Sequence, residues 1–166
     1  MPWPPAFSLE PRAAPSSMSS FDTLRQQAEG IIARYEERRA AMLPVLRLVQ
    51  ERFGSISLEA EDWVGRLLGV SPAHVHEVVT LYSLHHQKPV GKYHIQVCSN
   101  ISCALRGAEL YIAAISERLG VKSGETTRDG TFTLSTVECL CACEAAPMMQ
   151  VNDRYVGPVT SEVIDT

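Results

Sequence analysis

The spacing of apolar residues changes partway along the chain, and this change marks two regions with different predicted structures. Between residues 21 and 86, apolar side chains recur every three or four positions, which is the spacing of amphipathic helices. The series are Leu24, Ala28 and Ile32; Leu43, Leu46, Val49 and Phe53; Val64, Leu67 and Leu68; and Val75, Val78, Val79 and Tyr82. This pattern predicts four short helices that pack as a bundle.

Residues at the ends of these series agree with that prediction. Ser57 and Ser71 each precede an apolar series and are predicted N-caps, and Pro72 suits the first position of a helix. Gly54 and Gly69 each follow an apolar series and are typical C-terminal stops. The boundaries of the second, third and fourth helices are therefore predicted from chemistry as well as from periodicity.

Strand spacing replaces helix spacing after residue 88. Apolar and polar residues alternate over 93–97, which predicts a strand that ends near Cys98. Helical spacing returns over 108–119, and an Asp-Gly pair at 129–130 predicts a hairpin whose second strand leads to the later cysteines. Another hairpin is predicted around 152–153. Together these elements indicate a small α/β domain.

The chain is predicted to consist of three segments. Residues 1–20 form a Pro- and Ser-rich leader that we expect to be disordered, 21–87 the helical bundle, and 88–166 the α/β domain. Met18, directly before the first predicted helix, is an alternative start to Met1. The N-terminal residues lack the features of a secretory signal, and no apolar run approaches the roughly 18 residues of a membrane span. We therefore expect a chain in a reducing compartment, without direct membrane insertion.

Charge and glycine motifs narrow the function classes further. Lys and Arg number 15 and Asp and Glu 19, which gives a formal charge of −4 and argues against binding to nucleic acid. The sequence contains neither the glycine pattern of a dinucleotide-binding fold nor that of a Walker A loop. We therefore expect no site for NADH or flavin on this chain, and no complete active site of a dehydrogenase.

Candidate chemistry is concentrated in the five cysteines, none of which precedes residue 98: Cys98, Cys103, Cys139, Cys141 and Cys143. Their odd number argues against a disulfide framework. Their spacing is C-x4-C followed by C-x-C-x-C, so two loops can together supply four thiolates. A two-iron cluster needs such a set, with two thiolates on each iron. A four-thiolate zinc site permits the same spacing, and spacing alone leaves both open.

Neighbouring polar residues suggest how such a site could be tuned. Ser99, Asn100 and Ser102 lie in the first cysteine loop, where their polar groups could donate hydrogen bonds toward sulfur. His85 and His86 lie outside both loops. For these histidines we expect a solvent-exposed helix end rather than a role as metal ligands.

Several motifs together resemble a known family. The motifs are AAMLPVLRLVQERFGSIS, LLGVSPAHVHEVVTLYS, GKYHIQVCSNISCALRGAE and ETTRDGTFTLSTVECLCACEAAPMMQVN. In this order they resemble the E subunit of bacterial NADH:quinone oxidoreductase, respiratory complex I, which is a thioredoxin-like [2Fe-2S] ferredoxin. The resemblance runs from about Phe21 to Tyr155. It implies an α/β fold class, with an N-terminal helical bundle followed by a thioredoxin-like [2Fe-2S] domain.

The resemblance also implies a ligand set. The family's first ligand pair falls on Cys98 and Cys103, and its second pair falls on Cys139 and Cys143. Where the family has glycine in the second loop, this chain has Cys141. We expect Cys141 to be a bystander to ligation, and we ask whether its backbone needs the positive φ that glycine tolerates.

The implied function is electron transfer without substrate chemistry. The resemblance implies one [2Fe-2S] cluster that exchanges electrons with FMN on the neighbouring NADH-oxidising flavoprotein subunit. FMN and NADH would be bound by that partner, and iron–sulfur subunits of the peripheral arm would be further neighbours. The chain would be cytoplasmic, peripheral to the inner membrane, and an enzyme only as a non-autonomous subunit of a translocase.

The diaphorase part of an NAD-reducing hydrogenase or NAD-dependent formate dehydrogenase is an alternative assembly. A zinc-stapled interaction domain is an alternative of another class.

Overall fold

The structure is a computed structural model that describes residues 19–165. The described chain divides into two compact units between Pro89 and Val90. The first helix begins at Ser19, so the last two residues of the predicted leader are helical, with Asp22 supplying a negative charge to the first turn. The rest of the predicted leader, with the alternative start Met18, lies outside the described residues.

Four α-helices build the first unit, as the periodicity predicts. They are α1 (Ser19–Ile32), α2 (Met42–Phe53), α3 (Leu58–Leu68) and α4 (Pro72–Leu81), and a short 3-10 helix (Arg38–Ala41) precedes α2. Ser57 and Ser71 are the N-caps of α3 and α4, and their hydroxyls accept from the backbone N–H of Ala60 and His74. Both helices therefore begin where the sequence predicts.

Aromatic residues form the centre of this unit's core. Phe21 stacks on Trp63 with ring centroids 5.6 Å apart and meets the edge of Phe53 at 5.0 Å. Most residues of the apolar series identified in the sequence are buried in the same core, whereas Leu43 and Tyr82, at the ends of their series, are exposed. Glu61 is also buried, at 3% exposure, and its carboxylate lies 2.9 Å from Nδ1 of His76 on α4. The apolar core around the aromatic rings stabilises the bundle, and none of the five cysteines lies in this unit.

His85 departs from the predicted solvent-exposed helix end. It lies just after α4 with only 6% of its surface exposed. Gln50 holds this stretch against α2, since its side chain donates to the carbonyl of Leu84 and accepts from the N–H of His86. The segment therefore folds back onto the bundle, and the imidazole of His85 is carried inside. Periodicity alone gives no signal of this return.

The second unit is a five-stranded mixed sheet with helices. Its elements are β1 (Tyr93–Cys98), α5 (Ile101–Leu105), α6 (Ala108–Leu119), β2 (Glu125–Thr126), β3 (Phe132–Val137), β4 (Met149–Val151), β5 (Arg154–Val156) and α7 (Ser161–Asp165). The strand order is β2-β3-β1-β4-β5. The two predicted hairpins are β2–β3 and β4–β5. No helix within residues 19–165 is both long and apolar enough to cross a membrane.

Parallel pairing of β1 with β3 determines the geometry of the cysteine loops. Tyr93 lies opposite Phe132 at one end of the ladder, and Cys98 lies opposite Val137 at the other. The apolar residues of these two strands include Ile95, Val97 and Leu134, which are all buried. Because the strands run in the same direction, the chain leaves both of them at the same edge of the sheet.

Candidate metal centre

The two cysteine loops meet at one edge of the sheet. Cys98 is the last residue of β1, and Cys103 follows on α5. Cys139, Cys141 and Cys143 follow the end of β3. Since Cys98 pairs in register with Val137, the residues that follow each strand emerge side by side. Parallel pairing thus brings together two cysteine groups that are far apart in the sequence.

The thiols differ sharply in exposure. Cys98 is 3% exposed and Cys103 is 2% exposed, whereas Cys139, Cys141 and Cys143 are exposed. The buried pair lies in an apolar cluster that also contains Ala108, Val137, Leu140, Ala146 and Met148. The site therefore has a dry inner side made by β1 and α5 and a solvent-facing side made by the loop after β3.

Met148, just before β4, contacts both residues of the first pair. The backbone N–H of Cys98 donates to its carbonyl oxygen at 3.0 Å. Burial raises the pKa of the Cys103 thiol, a hydrogen bond to the Met148 backbone opposes that rise, and the neighbouring sulfur of Cys98 adds to it. Each of the first two cysteines is therefore fixed by the same short stretch of chain.

Polar residues of the first loop hold its backbone rather than a sulfur. The hydroxyl of Ser99 donates to the carbonyl of Val137 at 3.1 Å, and its backbone N–H donates to the same carbonyl at 2.9 Å. The side chain of Asn100 accepts from the N–H of Ile101 at the start of α5. Ser99 and Asn100 therefore form hydrogen bonds with backbone groups that shape the loop, in place of the expected hydrogen bonds to sulfur.

Cys141 adopts the positive φ that glycine tolerates and that cysteine does not favour. Its φ is +55°, one of two positive values among the non-glycine residues described. Its N–H donates to Sγ of Cys139 at 3.3 Å, and the two sulfurs are 3.8 Å apart. The hydrogen bond and charge of Cys139 raise the pKa of the Cys141 thiol. The second loop thus turns tightly through a residue type that does not favour this turn.

The donor set fits a two-iron cluster. A two-iron cluster needs only two protein thiolates at each iron, and the two loops supply one pair each. The C-x4-C pair is Cys98 and Cys103, and three thiols compete for the second pair.

A histidine of the central strand has a structural role. His94 on β1 is buried, and its Nε2 lies 2.7 Å from the hydroxyl of Ser135 on β3. Sequence reasoning does not single out Met148 or Leu140 as parts of the site. Met148 acts partly through backbone atoms, which leave no signal in side-chain identity, and both Met148 and Leu140 act through burial beside the cysteines.

Comparison with known proteins identifies close relatives. Residues 28–166 match the family model described as thioredoxin-like [2Fe-2S] ferredoxin. The chain is 44% identical over 143 residues to the second E subunit of NADH-quinone oxidoreductase of Rhizobium meliloti (strain 1021), covering 86% of this chain and 85% of the relative. It is also 44% identical over 146 residues to NADH-quinone oxidoreductase subunit 2 of Thermus thermophilus, with 86% and 81% covered.

A solved structure shares the fold at greater distance. It is the NAD+-reducing [NiFe]-hydrogenase in its H2-reduced state, which aligns with a TM-score of 0.64 at 16% identity. The alignment covers 75% of this chain and 21% of the hydrogenase chain, so the match is to one part of a much longer protein. At this identity the likeness concerns the fold.

Proposed function

This chain belongs to the thioredoxin-like [2Fe-2S] ferredoxins and, among them, to the family of the NADH-quinone oxidoreductase E subunits, and we propose that it carries one [2Fe-2S] cluster on Cys98, Cys103, Cys139 and Cys143. In this role it transfers electrons and makes or breaks no bond in a substrate. The complete active site belongs to the assembly rather than to this chain.

One observation carries the proposal: parallel pairing of β1 and β3 brings two cysteine pairs to one edge of the sheet. Cys98 lies in register with Val137, two residues before Cys139. Two pairs on two adjacent loops match the two irons of the cluster. Cys143 is preferred over Cys141 because the resemblance implies that the C-x3-C pair supplies the second pair of ligands.

Each part of the site has a distinct task. Cys98 and Cys103 would hold the inner side, where Leu140 and Met148 exclude water. Cys139 and Cys143 would hold the solvent-facing side. When bound, a [2Fe-2S] cluster accepts and releases one electron, and hydrogen bonds, burial and solvent access set its potential. Burial of Cys98 and Cys103 is one such contribution from this chain.

We propose a flavoprotein subunit with bound FMN and NADH as the electron-exchange partner, next to other iron–sulfur subunits on the cytoplasmic side of the inner membrane. The helical unit would contribute to docking. Leu81, Tyr82 and Leu84 support this role because they are 77%, 39% and 52% exposed around the end of α4. Neighbouring exposed apolar residues of this kind are typical of interaction surfaces.

The function is tested by reduction with NADH in the presence and absence of the partner. The isolated, cluster-loaded chain should stay oxidised when NADH is added, since NADH must first reduce FMN elsewhere. Addition of the FMN-containing flavoprotein should allow NADH to reduce the chain, followed by EPR. Direct reduction of the isolated chain by NADH would contradict the proposal. Native purification should recover quinone-reductase subunits, and recovery of hydrogenase or formate dehydrogenase subunits instead would assign another assembly.

Docking is tested with surface variants of the full chain. Leu81→Ser combined with Leu84→Ser should weaken binding to the flavoprotein and leave the visible spectrum unchanged, because the helical unit contains no cysteine. Leu58→Ser, at a leucine that is 70% exposed at the start of α3, is the matched control. Equal affinity of the double variant and the unchanged chain would argue against docking through this surface.

A further inference from the structure

Cys139 and Cys141 form an exposed thiol pair that the proposed ligand set uses only in part. Their sulfurs are 3.8 Å apart, and the N–H of Cys141 donates to Sγ of Cys139 at 3.3 Å. Both side chains are exposed, whereas Cys98 and Cys103 are buried. Only Cys139 is a proposed ligand, so the pair combines one ligand thiol with one thiol that ligation leaves available.

The local backbone keeps these two thiols together. The positive φ of Cys141 turns the chain so that its N–H faces the sulfur two residues earlier. A disulfide bond requires the sulfurs to approach to about 2.05 Å, which side-chain rotation in an exposed loop can supply. The buried pair is less accessible to an oxidant in solution, because β1, α5 and the apolar cluster around Met148 enclose it.

We propose that Cys139 and Cys141 are a thiol–disulfide site that closes when the chain holds no cluster. The oxidant is a small-molecule disulfide. One thiol of the pair, as thiolate, attacks a sulfur of the oxidant, forms a mixed disulfide and releases one small thiol. The other thiol then attacks the protein sulfur of that mixed disulfide and releases the second small thiol. The two cysteines lose two electrons and two protons, and the oxidant gains both.

The bond has a direct consequence for loading, which rests on the proposed ligand role of Cys139. A sulfur in a disulfide cannot ligate iron, so the oxidised chain cannot complete the second pair. Reduction by a thiol reopens the site. Because disulfide formation is reversible while sulfinic and sulfonic acids largely are not, the pair preserves a ligand that would otherwise be exposed to irreversible oxidation. Cys141 thereby acquires a role outside the cluster.

The test uses the full cluster-free chain, reduced and then placed in a series of glutathione redox buffers. Free thiols are counted, the intact mass is measured, and the bond is located by fragmentation of the peptide that holds the second loop. Cys141→Gly removes the pair and suits the positive φ, so it should fold. Cys143→Ser is the matched control, since it removes the other exposed thiol and leaves the pair intact.

The unchanged chain should fall from five free thiols to three, with the mass loss of two hydrogens, and the bond should join Cys139 to Cys141. Cys143→Ser should behave alike, from four thiols to two. Cys141→Gly should keep its thiols in the same buffer or take up glutathione on Cys139. The proposal is overturned if Cys141→Gly forms an internal disulfide at the same potential, or if the bond joins Cys98 to Cys103.

Loading separates this proposal from the proposed function. Oxidised chain should take up no iron and sulfide, and prior treatment with dithiothreitol should restore uptake. If the bond maps to Cys139 and Cys141 but the reduced chain also takes up no cluster, the disulfide site stands and the proposed function fails. If the oxidised chain loads as well as the reduced chain, the role of this bond in loading is refuted.

Discussion

Cys141 combines a backbone conformation that favours glycine with the side chain of a cysteine. At φ +55° its Cβ is close to the following carbonyl, a strain that glycine avoids. The resemblance implies glycine at this position of the second loop, and this chain has cysteine instead. The turn nevertheless keeps the conformation that glycine favours. The chain therefore retains a strained cysteine, and the thiol pair offers a reason for its presence.

Substitutions in the second loop should separate ligands from bystander. Cys141→Gly should keep the visible and EPR signals and raise the free energy of unfolding by up to about 1 kcal/mol, because it relieves the positive φ. Cys139→Ala and Cys143→Ala should lose the cluster or hold an altered one. Iron and sulfide content with EPR is the measurement, and Cys141→Ala is the control for thiol removal without relief of strain. Cluster loss in Cys141→Gly, with a normal spectrum in either alanine variant, would contradict the ligand assignment.

His85 provides a pH test at the residue scale. Burial lowers its pKa from 6.5, and the charge of His86 lowers it further. The folded state therefore prefers the neutral ring, so this contribution to stability is complete above pH 6.5 and declines as the pH falls below that value. In His85→Leu, the free energy of unfolding should fall less steeply as the pH decreases. His86 should cause part of the remaining fall, because burial also lowers the pKa of His86.

The same variant should also be more stable at pH 8. Within the described residues, neither ring nitrogen of His85 has a hydrogen-bond partner. Replacing an unpaired buried polar group with an apolar one of similar size should add about 1 kcal/mol to the free energy of unfolding. Urea unfolding at several pH values measures both effects. An unchanged pH dependence in the variant would show that His85 does not titrate as its burial implies.

At the scale of elements, the loop before β4 determines how well the first cysteine pair is held. Gly157 follows β5 and lies against this loop. A Cβ at this position would overlap the side chain of Met148 and stand 2.7 Å from the carbonyl oxygen of Ala145. The close approach leaves no room for a side chain, so the glycine keeps Met148 against the cysteines.

Gly157→Ala should therefore weaken the site without changing a ligand. It should shift Met148, lower thermal stability and speed the loss of the visible spectrum under a chelator. Gly30→Ala is the matched control: its Cβ would meet nothing within 4 Å in α1, and alanine should stabilise that helix by up to about 1 kcal/mol. The measurement is bleaching rate beside melting temperature. Equal bleaching in both variants and the unchanged chain would contradict the role of Met148.

Elements with local signals could be predicted from the sequence, and those that depend on distant contacts could not. Ser57, Ser71 and Gly69 mark helix ends because capping is decided within a few residues. The return of the chain that buries His85 depends on Gln50, more than thirty positions away. The parallel register of Cys98 with Val137 is likewise a long-range property. Cysteine spacing predicts that the two loops share one site, and the parallel pairing of β1 with β3 is the contact that brings the two loops together.

At the scale of the whole molecule, the two units have different proposed roles: the α/β unit binds the cluster and the helical unit contributes to docking. All five cysteines lie in the α/β unit, and the helical unit has its own aromatic core. The change of periodicity near residue 88 predicts two structural regions, and the structure divides between Pro89 and Val90. Spacing alone could not choose between iron and zinc, because both metals accept four thiolates. Family membership and the two-loop geometry favour the two-iron cluster.

The most direct test of the central claim is metal and sulfide analysis of the full chain, isolated without added metal or reconstitution. The account predicts two irons and two acid-labile sulfides per chain, together with visible absorption that bleaches on reduction and an EPR signal of the reduced form. Stoichiometric zinc, without sulfide and without that absorption, would contradict it.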